Sequence, residues 1–361
     1  MGFYNMLPEL LLLVSDNLAP GDIVNFHSTC LWLRNILASH FQKLCLKNHG
    51  DLTTIQWAAI RGHSELIKLA ILNGADLEAP FLGELTLTIL EVPSKFDKHD
   101  PRHPCNLAND DGFFAAIKTR IRTPLFLAAC CGHAKAIEVL LEHGAGRKCI
   151  DRIMTPVHAA ASQGDVACMQ VFVRPGFDIN AQGVDGRSIL HDALIGGIEM
   201  MKYILQLEGG TNLVNARTIG GLTPLHIVRK VDRALQGLEI ELLLQHGADM
   251  YAKDNYGYLP AELLASRGYV ESLQILIEAG YDLHTIGHEG KTILHCAITG
   301  GKEIVEYLLN LEGGKALIEI EDNFRLTALD YALESSRWEV ESVLCHHGAR
   351  RRPLKTTVYG I

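Results

Sequence analysis

The chain has 361 residues, which at roughly 150 per domain is enough for two or three globular domains, or for one architecture without a size limit. It carries 33 Lys+Arg against 42 Asp+Glu, a formal net charge of −9, which speaks against a dedicated nucleic-acid or anionic-membrane surface. Nine cysteines, an odd number with no C-x-x-C pair, exclude a disulfide framework and a zinc ribbon and fit a reducing compartment, cytosol or nucleus.

The first apolar run, Leu10 to Val14, has no basic stretch before it and is bracketed by Glu9 and Asp16, so it is too short for a secretory signal. Nothing approaches the ~18 uninterrupted apolar residues of a membrane span, and the chain reads as soluble and intracellular. Leu7, Leu10, Leu11, Val14 and Leu18 recur at helical spacing after Pro8; Asp16 to Gly21 is a break; Asp22 opens a second helix and Leu31 to Leu46 reads as a third. Roughly forty residues rarely sustain a core alone, so this apolar surface needs the rest of the chain or another protein. The pattern Leu7-Pro8-Glu9-Leu10, Asp22-Ile23, Cys30 and Leu33 resembles an F-box, the three-helix module that docks on the Skp-family adaptor of cullin-RING ubiquitin ligases. The resemblance implies that Leu7, Pro8, Leu10, Leu11 and Val14 press on the adaptor, with Ile23 and Leu33 supporting the other helices. Leu31 stands where that family usually has Lys or Arg. The alternative is a helical cap on the remainder of the chain.

From residue 53 onward the chain repeats itself. Thr123-Pro124-Leu125-Phe126 is followed by Ala128-Ala129, Gly132-His133, Ile137, Leu140-Leu141 and Gly144-Ala145, and the same order returns from Thr155, Ser188, Thr223 and Thr292. Weaker copies start at Thr53, Leu259 and Thr327, so the starts are spaced by 70, 32, 33, 35, 36, 33 and 35 residues. A Gly lies 21 residues after the start in seven copies, and 24 after Thr223, where three extra residues near Asp232 to Gly237 shift it. Thr or Ser at the start suits a helix N-cap and Pro after it the first helical position. Gly nine residues on (62, 132, 164, 197, 268, 301) suits a sharp turn into a second helix, and the later Gly closes that helix in a left-handed conformation. One such pair cannot bury its stripe alone, so neighbours must stack.

This unit resembles the ankyrin repeat, a helix-turn-helix-loop of ~33 residues with a T-P-L-H signature, over residues 51–79 and 122–350. The resemblance implies an all-α solenoid of about eight repeats, with His158, His191, His226 and His295 tying adjacent loops together. Gln56, Phe126, Glu262 and Asp330 replace that His, Leu259 replaces the Thr, and Ser336 the turn Gly. An F-box ahead of ankyrin repeats resembles a fungal set of F-box/ankyrin proteins, whereas poxviral ankyrin proteins carry theirs at the other end.

Residues 80–121 exceed the repeat and contain His99, His103 and Cys105; with no fourth ligand they read as a mobile loop, not a zinc site. Cys345-His346-His347 falls at a repeat helix end, and Cys130, Cys131 and Cys296 in first helices, where Cys is a small apolar residue. No metal or cofactor is expected. Nucleophile-elbow, Walker, dinucleotide and H-E-x-x-H motifs are absent, so the chain is expected not to be an enzyme. The tail 351–361 opens basic and either directs nuclear import or complements the last helix dipole.

The expected division is 1–50 F-box-like module, 51–79 first repeat, 80–121 insertion, 122–350 further repeats and 351–361 tail. The expected function is substrate recognition in a cullin-RING ligase, the F-box binding the Skp-family adaptor and the repeats an unknown protein target. No direct nucleic-acid or membrane partner is expected. A nuclear ankyrin scaffold or transcription coregulator is the alternative. Loop tips and exposed first-helix turns form the expected target face: Arg217, Lys253, Asn255, Tyr256, Tyr258, Arg267, His288, Lys291 and Phe324.

Overall fold

The structure, a computed structural model, describes residues 48–49, 52–78, 123–146, 155–173, 178–228 and 236–351. The expected adaptor contacts Leu7, Pro8, Leu10, Leu11, Val14, Ile23 and Leu33 lie outside the described residues, as does the 80–121 insertion. The described chain is helical apart from one two-residue antiparallel pair, β1 (Asn48–His49) with β2 (Leu52–Thr53), Asn48 facing Thr53. It divides into two compact units, one holding residues up to Val184 together with Ile195–Met200, the other Asp185–Leu194 and everything from Met201.

In the first unit, α1 (Thr54–Arg61) and α2 (Ser64–Leu72) form a hairpin, followed by α3 (Pro124–Cys130) with α4 (Ala134–Glu142), and α5 (Pro156–Gln163) with α6 (Val166–Phe172). First helices stack α1 on α3 on α5, second helices α2 on α4 on α6. The first helices are short and rich in alanine: Ala58, Ala59, Ala128, Ala129, Ala159 and Ala160 are fully buried, which lets neighbouring backbones approach closely. Ile67, Ile137 and Leu140 fill the layer beneath.

Helix α7 (Ile189–Gly196) and α8 (Ile198–Gln206) lead into the second unit. There the hairpins are a one-turn 3-10 helix, Pro224–Ile227, with α9 (Gln236–Gln245); α10 (Pro260–Ser266) with α11 (Val270–Glu278); α12 (Ile293–Gly300) with α13 (Lys302–Asn310); and α14 (Ala328–Glu334) with α15 (Trp338–His346). Inner helices stack α10 on α12 on α14, outer helices α9 on α11 on α13 on α15. The two 35-residue spacings have a visible cause. After Gly209 and Gly313, both left-handed, a 3-10 turn (Gly210–Asn215 and Gly314–Leu317) absorbs the two extra residues.

Turn chemistry follows the sequence pattern, with one exception in residue type. Gly62, Gly132, Gly164, Gly197, Gly268 and Gly301 all have φ between +70° and +105°. Ser336 takes the same position at φ +54°, a conformation that costs a residue with a Cβ about 1 kcal/mol. The glycine preceding some of these turns has a separate role. A Cβ on Gly196 would lie 2.1 Å from the Ala161 carbonyl oxygen, and one on Gly300 2.0 Å from that of Ala265, so both close approaches require bare backbone.

The starts behave differently from simple N-caps. Thr123 does accept the Phe126 N–H (3.3 Å), and Thr53 and Gln56 form a reciprocal capping box. At Thr155, Thr223 and Thr292, however, the hydroxyl bonds the Nδ1 of the His three residues on (2.6, 2.8 and 2.9 Å). The imidazole outcompetes the backbone because it can accept both the hydroxyl and the start residue's N–H. Thr223 and Thr292 donate that N–H at 3.1 and 3.0 Å. Where His gives way to a carboxylate, the acceptor survives: Glu262 takes the Leu259 N–H at 2.8 Å, as the Nδ1 of the signature His does elsewhere. Asp330 takes both the N–H and the hydroxyl of Thr327.

Candidate interaction surface

The loops before the starts of the second unit project as fingers, two of them built on a buried carboxylate, while in the finger before Thr223 the Thr218 hydroxyl accepts the Leu222 N–H at 3.1 Å. Asp254 Oδ1 accepts the N–H of Tyr256 and of Tyr258 (2.9 and 2.8 Å), and Asp322 Oδ1 those of Phe324 and Leu326 (2.8 and 2.9 Å). Adjacent fingers are laddered through their backbones: Ile219 N–H to Asp185 O, Asn255 N–H to Gly220 O, and Asn323 N–H to Glu289 O. Beneath the ladder the histidines reach across. Nε2 of His191, His226 and His295 donates to the carbonyls of Leu222, Tyr258 and Leu326 at 3.1–3.2 Å. Nδ1 is thereby left as acceptor, so these rings work as neutral imidazoles, and burial depresses the basicity of His226 and His295 below the usual 6.5. They are consumed inside the fold and are not free to meet a ligand.

The finger before Thr292 is wired differently again. Glu262, in the position of the signature His, also receives the His288 N–H, and burial pushes its carboxyl upward. A Cβ on Gly287, which stands where Asp254 and Asp322 stand in their fingers, would lie 1.9 Å from Glu262 Oε1. The carboxylate of this finger therefore comes from the preceding repeat, and Gly287 makes room for it.

The expected target residues fall into two groups. Tyr256 is 72% exposed and Phe324 60%, both at fingertips, and Ile219 at the neighbouring tip is 75% exposed. Lys253 and Asn255 are exposed as well, the Asn255 amide donating to Ile219 O at 2.7 Å. Arg217 is exposed and donates to the Lys253 carbonyl; Arg267 is exposed and donates to the His226 carbonyl at 3.0 Å. Tyr258, His288 and Lys291 are half-buried and engaged: the Tyr258 and His288 rings lie 4.3 Å apart, Lys291 pairs with Glu289 at 3.0 Å and sits 5.2 Å over the Tyr331 ring.

A second set of ties runs along the ends of the outer helices, and sequence reasoning passed over it. Asn215 donates to Gly247 O and accepts from Asp249 N–H (2.8 and 2.9 Å), and the Tyr251 hydroxyl accepts from Asp282 N–H at 3.1 Å. Their partners lie more than thirty residues away, at a position where the repeat pattern permits any polar side chain.

Among the described residues no group of His, Cys, Asp and Glu is arranged to hold a metal ion, and no helix is long and apolar enough to cross a membrane. Stacked helix pairs tied finger to finger, with the histidines used inside the ties and large side chains left outside, define a helical-repeat protein of the protein-interaction class. The chain belongs to the ankyrin-repeat family: the family described as Ankyrin repeats (3 copies) matches residues 105–183, 125–218, 157–254 and 262–352. Over 187 residues it is 31% identical to a transient receptor potential cation channel subfamily A member 1 homolog of Caenorhabditis elegans, and over 161 residues 31% identical to alpha-latrotoxin-Lt1a of Latrodectus tredecimguttatus. These matches cover 52% and 43% of this chain but only 15% and 11% of those proteins. Among solved structures it is similar to the ankyrin repeat domain of Bcl-3, 20% identical with a TM-score of 0.48, over 73% of this chain and 99% of that one.

Proposed function

We propose that this chain is the target-recognition subunit of a cullin-RING ubiquitin ligase, with residues 1–50 docking a Skp-family adaptor as an F-box and the repeat fingers holding the protein to be ubiquitinated. The observation that carries the recognition half is the split between consumed and exposed side chains: His226 and His295 are buried in inter-finger bonds while Ile219, Tyr256 and Phe324 stand in solvent. Large exposed side chains grouped on one face are the residue types that anchor interfaces. The ligase half rests on the sequence pattern Leu7-Pro8-Glu9-Leu10 with Ile23 and Leu33. The division into 1–50, 51–79, 80–121, 122–350 and 351–361 belongs to the same proposal, as does residence in cytosol or nucleus. Ubiquitin transfer falls to the partners, and the chain itself turns over no substrate.

The test is affinity capture with the full chain and two variants, read by quantitative mass spectrometry. Leu7→Asp with Pro8→Ala should lose the Skp-family adaptor and keep the target; Tyr256→Ala with Phe324→Ala should lose the target and keep the adaptor. An adaptor that stays bound to the first variant, or never binds the native chain, defeats the ligase half and leaves a scaffold or coregulator in which residues 1–50 cap the stack.

A further inference from the structure

Most cations of the second unit that come near a carboxylate are paired with it: Arg187 with Asp192, Lys291 with Glu289, Lys302 with Glu306, Arg351 with Glu341. Among the described residues Lys315, Arg325, Arg337 and Arg350 have no carboxylate within ion-pair distance, and neither do Arg217, Lys253 and Arg267. The guanidinium groups of Arg217 and Arg267 are instead each held by one backbone carbonyl, Arg217 on Lys253 and Arg267 on His226. With five N–H donors each, most of their hydrogen-bonding capacity faces outward. Both charges add to burial in lowering the basicity of the same His226 ring. The carboxylates nearest to hand are turned inward: Asp254 serves the N–H groups of its own finger, and Glu262 is buried against Leu259. Arg217, Lys253 and Arg267 are all exposed, in a chain with a formal net charge of −9. Beside them Ile219 and Tyr256 crown adjacent fingertips joined by the Asn255 N–H to Gly220 O bond.

We propose that Arg217, Lys253 and Arg267, together with Ile219 and Tyr256, form a docking site for an acidic segment of a protein partner, an extended stretch in which carboxylates alternate with apolar side chains. The proposal rests on the reading of the fingers as the target surface and names the chemistry of what they hold. Planar guanidinium groups already fixed by a carbonyl present a pre-organised fork to a carboxylate, and the exposed Ile219 and Tyr256 offer apolar contact at the fingertips. The negative net charge of the whole chain works against a polynucleotide at the same place.

The experiment is selection of a random dodecapeptide phage library on the intact immobilised chain, followed by fluorescence anisotropy of the leading synthetic peptides. The selected pool should be enriched in Asp and Glu about twofold or more over the input. Binding should weaken about tenfold in Arg217→Gln with Arg267→Gln, and by a similar factor as NaCl rises from about 50 to about 300 mM. Arg267→Lys, which keeps the charge but not the fork, should bind more weakly than the native chain and more tightly than Arg267→Gln, and unchanged circular-dichroism melting shows that the variants are folded. Peptides that are not acidic but are lost on Tyr256→Ala would overturn this proposal while leaving the target surface in place. Peptides indifferent to both sets of variants, or no selectable peptide, overturn both. Tighter binding of a labelled dodecathymidylate than of any peptide, abolished by the two Arg→Gln changes, overturns it in favour of nucleic acid.

Discussion

Eight residues before the glycine that closes each second helix, the side chain is buried: Leu66, Ala136, Cys168, Met201, Ser272, Val305 and Val340 all occupy this position, and so does Glu239. Glu239 is 4% exposed and its Oε2 has no hydrogen-bond partner among the described residues, so burial alone pushes its carboxyl from 4.5 up to about 7. Between those values the folded chain holds a proton that the unfolded chain has released, so stability falls as pH rises from about 4.5 and levels off above about 7. At 1.36 kcal/mol per pH unit the full penalty is about 3 kcal/mol, of which about 2.5 develops between about pH 5 and about pH 8. Glu239→Gln removes the ionisation and keeps the shape; Glu239→Leu also removes the orphaned oxygen. Urea unfolding at the two pH values should show the stability of either variant pulling ahead of the native chain by about 2.5 kcal/mol on going to the higher pH, with thermal midpoints moving apart by about 5–10 °C. A gap that is the same at both values would mean that Glu239 is solvated or paired, and the reasoning from burial would fail.

The signature histidines bring the opposite dependence. His226 and His295 resist protonation when folded and take it up near 6.5 when unfolded, so acid below about 6.5 destabilises the chain; His226→Ala should cost about 2–4 kcal/mol at neutral pH and flatten the acid limb of the urea midpoint plotted against pH. Gly287→Asp should destabilise by about 3 kcal/mol, because its carboxylate enters the space held by Glu262, whereas Gly287→Asp combined with Glu262→His should recover at least about 2 kcal/mol of that in a double-mutant cycle.

The repeat phase was legible because glycines at forced left-handed positions and buried apolar stripes leave marks at fixed intervals, and the hydrogen-bonding use of His191, His226 and His295 followed from the signature. Acceptors standing in for the missing His at Gln56, Glu262 and Asp330 were visible as departures, but not what each would bond. Other features depend on partners one repeat away, which spacing within a repeat cannot register: the tie from Asn215 to Asp249, the bare backbone of Gly196 against Ala161, and the exchange between Glu262 and Gly287. The helix after Thr223 is cut to a single 3-10 turn ending at Ile227, although its sequence begins like those of its neighbours. On the fingers, the exposure of Tyr256 fits its place at a loop tip, while the stacking of Tyr258 on His288 needed the next finger to be in position.

Repeat arrays grow and shrink when unequal recombination removes or duplicates a unit, and the Glu262–Gly287 exchange sets a limit on where that can happen in this chain. Excision of residues 287–321 would set Glu262 against Asp322, two carboxylates competing for one buried space. Excision of residues 254–286 would set Gly287 beneath His226, leaving a finger with no carboxylate for its N–H groups. The two repeats meeting there are keyed to each other and inherited as one block, whereas a junction of the His226–Asp254 type could be spliced to the His295–Asp322 one without loss.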